Sequence, residues 1–197
     1  MKTAVLTALV GSAAAFAPAH TGRTTSVAVN SVFDDYVGAV DFRGKEFKYD
    51  PLNLAESYAP FVPWFRECEI RHGRTAMMAV LGFIATDYIR LPGEMYSFDA
   101  IPNTIDAHDV LLKSGPMYQL LFWIGFFDLC VQGPAMVATY QGERDAGDFS
   151  FTKFGPKDEE GMKAKKVSEL MNGRLAMIAV GGIATQSIVN GHGFPYI

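Results

Sequence analysis

Cysteine is scarce in this chain of 197 residues, which carries only Cys68 and Cys130. Two thiols are too few for a disulfide framework, and their separation is not a metal-finger spacing, so both read as packed thiols. Positive charge is short as well: 17 Lys and Arg stand against 21 Asp and Glu, a net charge of −4, with no basic cluster interleaved with aromatics. That balance argues against a nucleic-acid partner. No nucleophile–base pair, glycine-rich phosphate loop or zinc spacing occurs anywhere in the chain, so the usual starting points for a catalytic centre are missing. The sequence does not read as an enzyme. What it has in quantity is apolar surface, with 49% hydrophobic residues and a positive mean hydropathy. The length suits one domain and a processed leader.

The chain is organised around an internal duplication. Glu69-Ile70-Arg71-His72-Gly73-Arg74-Thr75-Ala76-Met77-Met78-Ala79-Val80-Leu81-Gly82 returns one hundred residues later as Glu169-Leu170-Met171-Asn172-Gly173-Arg174-Leu175-Ala176-Met177-Ile178-Ala179-Val180-Gly181-Gly182. Two copies without a gap predict a two-fold protein, not a solenoid. On a helix Glu69 and His72 are i, i+3 neighbours, as are Glu169 and Asn172, so each copy offers an acid and a second donor on one face. Each copy also has an Arg five residues after its Glu, about 140° further round the helix, a poor position for a pair within one helix. Crossing the two helices about a two-fold axis pairs Glu69 with Arg174 and Glu169 with Arg74. That reciprocal pairing is the expected structural lock.

A second periodicity agrees with the crossing. Gly73, Ala76, Ala79, Gly82 and Ala85 form an i+3 row of small residues, repeated by Gly173, Ala176, Ala179 and Gly182. Such rows let helix backbones approach closely, the usual device for packing helices in lipid.

Residues 1–30 read as a targeting leader. Lys2 precedes a short apolar run and the small-residue stretch Gly11-Ser12-Ala13-Ala14-Ala15, a secretory-type signal too short to span a membrane. Phe16-Ala17-Pro18 and a hydroxyl-rich, acid-free stretch with Arg23 follow, a composition that suits a transit peptide. Signal plus transit peptide, with Phe at the junction, resembles the bipartite leader of algae with secondary red plastids. The remaining domain, 31–197, opens on an aperiodic stretch to Phe65, with a turn and ordered loop at Asp50-Pro51-Leu52 and Pro60 and Pro63 holding the chain extended. Three helices are predicted at about 64–89, 116–133 and 166–189. Leu91-Pro92-Gly93 closes the first, Gly115-Pro116 opens the second, Gly133-Pro134 ends it, and Lys163, Lys165 and Lys166 lead into the third. Residues 94–113 are expected to be an acidic loop in which His108 is solvated.

Each helix has about 15–20 largely apolar residues, at the short edge for crossing a bilayer, and the second has almost no polar face of the kind a soluble bundle shows. An all-α membrane protein with three transmembrane helices is therefore predicted. Arg66, Arg71, Lys163, Lys165 and Lys166 gather at the starts of helices one and three, whereas the first connecting loop is acidic. The positive-inside rule places those starts on the side of synthesis, the stroma. Helices one and three are then related by a pseudo-two-fold axis along the membrane normal.

Ionisable and polar groups inside membrane helices imply a function. Beyond the paired charges these are His72, Asn172, Gln119, Asp128 and Gln186, scattered along three helices without converging. Scattered single oxygen and nitrogen donors suit many separate ligands, each taking one axial bond, and magnesium accepts such donors. Chlorophyll carries a magnesium with an open axial position.

Glu-x-x-His-x-Arg in helix one and Glu-x-x-Asn-x-Arg followed by Leu-Ala-Met in helix three resemble the light-harvesting chlorophyll-binding superfamily. The Phe-Ala-Pro leader, the short loops and Gly125-Phe126-Phe127-Asp128 are most similar to its fucoxanthin chlorophyll a/c proteins. The resemblance covers nearly the whole mature chain. It implies bound chlorophyll a, chlorophyll c, fucoxanthin and related xanthophylls, and transfer of excitation to a photosystem I or II core beside other antenna subunits and lipids of the plastid thylakoid membrane. By position it implies magnesium ligation through Glu69, His72, Glu169, Asn172 and Gln186, with Arg174 and Arg74 pairing the two Glu. Gln119 and Asp128 fall at helix-two ligand positions, although Asp128 is shorter than the usual Glu, and His192 lies near a last one. Asp50-Pro51-Leu52 and Phe154-Gly155-Pro156 resemble carotenoid head-group sites.

Three other readings compete. A photoprotective, energy-dissipating member of the same superfamily would use lumenal carboxylates, with Glu94, Asp99, Asp106 and Asp109 as candidates. Glu69 and His72 also satisfy the Glu-x-x-His pattern of di-iron helices, but that site needs the pattern twice plus two further carboxylates, and the second copy has Asn172. A pigment-poor membrane protein would use the pairs for packing alone.

Overall fold

The structure, a computed structural model, describes residues 36–41, 43–150 and 155–196. The described residues are helical and contain no strand, only an isolated bridge between Val40 and Glu46. A short helix α1 (Leu54–Ser57) follows the Asp50 turn, where the Asp50 carboxylate accepts from the Leu54 and Ala55 N–H groups at 2.9 and 2.8 Å. Then come α2 (Val62–Tyr88), α3 (Ala107–Ser114), α4 (Pro116–Tyr140) and α5 (Glu159–Asn190).

The two copies of the repeat lie on α2 and α5, which form the principal packed pair. They meet at equivalent glycines. A Cβ built on Gly73 would sit 3.0 Å from the Gly173 Cα, and one on Gly173 2.9 Å from the Gly73 Cα. Backbone touches backbone there, which only hydrogen side chains permit. Ala76 and Ala176, one turn on, are buried beside the contact. Residues 71–80 and 171–180 run through the same order of buried, half-buried and exposed positions. The duplication seen in sequence is thus a duplication of environment.

Several boundaries differ from the sequence expectation. Pro60 and Pro63 do not hold the chain extended: Pro60 lies in a 3₁₀ turn (Ala59–Phe61) and Pro63 in the first turn of α2, where a missing N–H is harmless. Residues 94–113 are not simply a loop, since they hold 3₁₀ turns at Glu94–Tyr96 and Thr104–Asp106 and most of α3. Eight residues show too little periodicity to reveal such a helix. His108 is exposed on α3 and pairs with Asp109 at 3.1 Å.

Helix two does not end at Gly133-Pro134. The chain widens into a π turn over Asp128–Gln132, in which the Gly133 N–H reaches back five residues to the Asp128 carbonyl, and helix resumes to Tyr140. The wider turn carries the helix across Pro134, which has no N–H and in a regular helix would clash with the carbonyl four residues back. The third helix begins seven residues early, at Glu159, because the Asp158 side chain accepts from the Gly161 N–H at 3.1 Å and caps it. Lys163, Lys165 and Lys166 are therefore inside the helix. Cys68 is half-buried but Cys130 is exposed, not packed, and both thiols are free. The leader, 1–30, lies outside the described residues, as does Phe154 of the second expected carotenoid loop.

Of the described helices, Pro116–Tyr140 alone is long and apolar enough to cross a membrane, with mean hydropathy 1.6 over its apolar window and none of that window buried. In α2 charge is concentrated in the N-terminal half, from Arg66 to Arg74, leaving the C-terminal half without charge except for Asp87, and in α5 the charges run from Glu159 to Arg174 before an apolar end.

Candidate functional site

The helix crossing builds two matching carboxylate–arginine units. Arg74 Nε donates to Glu169 Oε1 at 2.6 Å, and Arg174 Nε donates to Glu69 Oε1 at 2.8 Å. Each guanidinium also donates its Nη1 to a loop carbonyl, Arg74 to Gly147 at 2.8 Å and Arg174 to Gly38 at 2.9 Å. Both glycines have positive φ, 74° and 107°, and both abut equivalent side chains of the repeat. A Cβ on Gly147 would come 2.8 Å from Ile70, and one on Gly38 would overlap Leu170 at 2.1 Å. The equivalence of the two copies therefore extends to the loops laid over them. All four charged side chains are roughly one-third exposed, so neither pair is a fully desolvated core bridge.

The second donors of the repeat are also held alike. His72 Nδ1 lies 2.7 Å from the Cys68 carbonyl, four residues back, and since a carbonyl only accepts, Nδ1 carries the proton. Nε2 is then left as a lone pair on an exposed side chain. Asn172 Nδ2 donates to the Ser168 carbonyl, again four residues back, at 2.9 Å, and reaches Ser168 Oγ at 3.3 Å, which leaves the amide oxygen as the acceptor of another exposed side chain. A fixed proton on the inner atom and a lone pair on the outer one is the usual arrangement of a metal-ligating His. These donors are single exposed side chains, one on each helix. Among the described residues no group of three or more His, Cys, Asp or Glu could hold a bare metal ion, so the arrangement suits a metal brought with most of its ligands in place.

The other sequence candidates are dispersed. Gln119 is exposed in the first turn of α4, Gln186 near the end of α5 and His192 beyond it. Asp128, in the π turn of α4, is paired with Arg71 of α2, a partner that sequence reading did not assign. Glu94, Asp99, Asp106 and Asp109 are all exposed.

Two polar clusters escaped the sequence reading. Glu67 is only 3% exposed and accepts from Arg144 Nη2 at 2.7 Å, the Gly147 N–H at 2.6 Å and Thr139 Oγ1 at 3.2 Å. It ties the end of α4 to α2 and holds the loop that offers Gly147 to Arg74. Position 167 is Val, so the duplication gave no hint of it. At the opposite end Asp87 accepts from Thr104 Oγ1 and from the Phe194 N–H, the latter at 2.8 Å, and so docks the C-terminal tail on α2. Tyr196 is buried there, and burial first, then the neighbouring Asp87 carboxylate, push its phenol up to about 12.

Two cavities open beside the two units. One of about 510 Å³ is lined by Glu69, Arg66, Arg174 and the arm around Val37 and Phe47. The other, of about 960 Å³, is lined by Glu169, Arg74, Lys166, Phe127, Val131 and the loop around Gly147. Both are mainly apolar, and the carboxylate–arginine unit is among the charged groups of each wall.

Residues 33–188 match the family of the chlorophyll A-B binding protein. Fucoxanthin-chlorophyll a-c binding protein F, chloroplastic, of Phaeodactylum tricornutum is 36% identical over 91% of this chain and 92% of its own length. The fucoxanthin-chlorophyll a-c binding protein, chloroplastic, of Trieres chinensis is 35% identical over 97% and 96%. That of Chattonella marina var. antiqua is 31% identical over 98% and 89%.

Proposed function

The chain belongs to the chlorophyll A-B binding protein family, whose members are light-harvesting, pigment-binding proteins without catalytic activity, and from that premise we propose that it is an antenna of the fucoxanthin type. It binds chlorophyll a, chlorophyll c and fucoxanthin-type xanthophylls and passes excitation to a photosystem core in the plastid thylakoid membrane, among lipids and other antenna subunits. Residues 1–30 are its plastid-targeting leader and 31–197 its pigment-binding domain.

The observation that carries the reading is the matched pair His72 and Asn172. Each is tethered to the carbonyl four residues back and leaves one lone pair free on an exposed side chain. Those lone pairs fit the open axial position of a chlorophyll magnesium. Glu69, Glu169 and Gln186 serve the same role, with Arg174 and Arg74 cancelling the charge of the two carboxylates. Gln119 and the Arg71-paired Asp128 are the donors of α4. Asp50-Pro51-Leu52 and the segment at 154–156 meet carotenoid head groups. Bound chlorophyll supplies the absorbing and transferring states, while the protein fixes distance and orientation.

In the membrane, α2, α4 and α5 are three spans, with α2 and α5 related by a pseudo-two-fold axis along the bilayer normal. Cross-paired charges make those two helices tolerable in lipid, since a paired charge costs far less to bury than a lone one. Their exposed apolar faces support this: Met78 and Ile178, equivalent in the repeat, are each 69% exposed in the bare chain.

His72→Ala and Asn172→Ala test the reading. Each variant, refolded with pigment, should keep its helix content and bind about one chlorophyll fewer per chain, because each loses a single axial donor. Full chlorophyll content in both would reduce the motif to packing.

A further inference from the structure

We propose that the two carboxylate–arginine units are unequal as ligands, and that residue 66, with its counterpart 166, sets the difference. This rests on the proposed ligation of magnesium by Glu69 and Glu169. In the first unit both carboxylate oxygens are engaged. Arg174 Nε donates to Glu69 Oε1 and Arg66 Nη1 donates to Glu69 Oε2, each at 2.8 Å. Arg66 is itself held, because its Nη2 donates to the Val37 carbonyl and its side chain is only 12% exposed.

In the second unit the corresponding position is Lys166. Its ammonium turns away to Asp145 Oδ2 at 3.7 Å, and its side chain is 44% exposed. Arg74 Nε takes Glu169 Oε1 at 2.6 Å, and among the described residues nothing donates to Oε2. The cavity beside Glu169 is also the larger, about 960 Å³ against about 510 Å³.

A carboxylate oxygen that already accepts a charge-assisted hydrogen bond from a guanidinium has given up electron density that a metal would draw on. It is also screened on that side by a fixed planar group. Lysine, a point charge on a flexible stem, does neither when another anion holds it. Glu169 is therefore the stronger magnesium ligand and fills first. Glu69 is the weaker, and becomes fully available only as Arg66 yields its Oε2.

The test is chlorophyll a bound per chain when the full protein is refolded with rising amounts of chlorophyll a. Lys166→Arg puts the first unit's clamp on the second, at an exposed position where folding is not at risk. Half-loading at the tighter site should then require about tenfold more chlorophyll, the lower end of what one added charge-assisted hydrogen bond is worth. Arg66→Lys should act oppositely and tighten the weaker site, with helix content unchanged by circular dichroism. A Lys166→Arg curve that overlays the wild type would overturn the proposal. The double variant Arg74→Leu with Glu169→Leu separates this from the ligation reading itself, since it removes both charges and leaves none unpaired. If it still binds the full complement, Glu169 is no ligand at all. If it loses one chlorophyll while Lys166→Arg is silent, ligation stands and the inequality falls.

Discussion

Single residues decide whether the two repeats can meet. At Gly73 and Gly173 a methyl group would reach 3.0 and 2.9 Å from the opposing Cα, an obstacle of backbone that no rotamer change relieves. Gly73→Ala or Gly173→Ala should push the helices apart and cost about 1–3 kcal/mol, the range of overpacked cores. Gly82, with nothing within 4 Å of its built Cβ, is the matched control, and Gly82→Ala should be neutral or stabilising because alanine is the better helix former. Thermal unfolding of the three variants checks this, and equal midpoints would contradict the close crossing. Glu67 is the other decisive residue. Replacing it with Gln leaves Arg144 without its charge partner in a buried site, which should cost about 3 kcal/mol. Replacing both partners, as in Glu67→Met with Arg144→Met, should recover much of that loss. The cluster would have no role in stability if the single variant melted like the wild type.

At the scale of elements, what the sequence makes legible is whatever is repeated or periodic. The crossed ion pairs follow from a five-residue spacing that is wrong for one helix and right for two. The small-residue rows place the contact, and Gly73 with Gly173 lies at its centre. The bridge across Pro134 is not legible, because a π turn is a response of the backbone to a missing N–H and has no composition of its own. Nor is the early start of α5, where one Asp158 cap outweighs the polar look of the first two turns. Asp87 and Tyr196, 109 residues apart in sequence, are joined only by the fold. The Tyr196 phenol, at about 12, stands above the ordinary value near 10. The docked tail thus retains a proton that the free tail loses. Docking is at full strength below about pH 10 and weakens as the pH rises towards 12 and above. Tyrosinate absorbance, compared between the wild type and Tyr196→Phe, should show one phenol titrating late. If the phenol lost in Tyr196→Phe titrated at the ordinary value near 10, the tail would be undocked.

For the whole molecule, the polypeptide does not cover its own apolar surface. Leu129 is 80% exposed, and Leu121, Phe122, Trp123 and Phe126 of α4 are each more than half exposed. Exposed apolar area on this scale marks a surface made to be covered, and a pigment scaffold in a membrane has pigments and lipid for that purpose. The family assignment could be read from the doubled motif. Of the three spans expected from the sequence, hydropathy picks out only Pro116–Tyr140 among the described helices, because the first halves of α2 and α5 carry charge. As proposed above, this scaffold holds its pigments for energy transfer. Fluorescence excitation of the purified native protein, monitored at chlorophyll a emission, tests it most directly. Chlorophyll c and carotenoid bands should both appear in that excitation spectrum. Pigment bands seen in absorption but absent from excitation would contradict it.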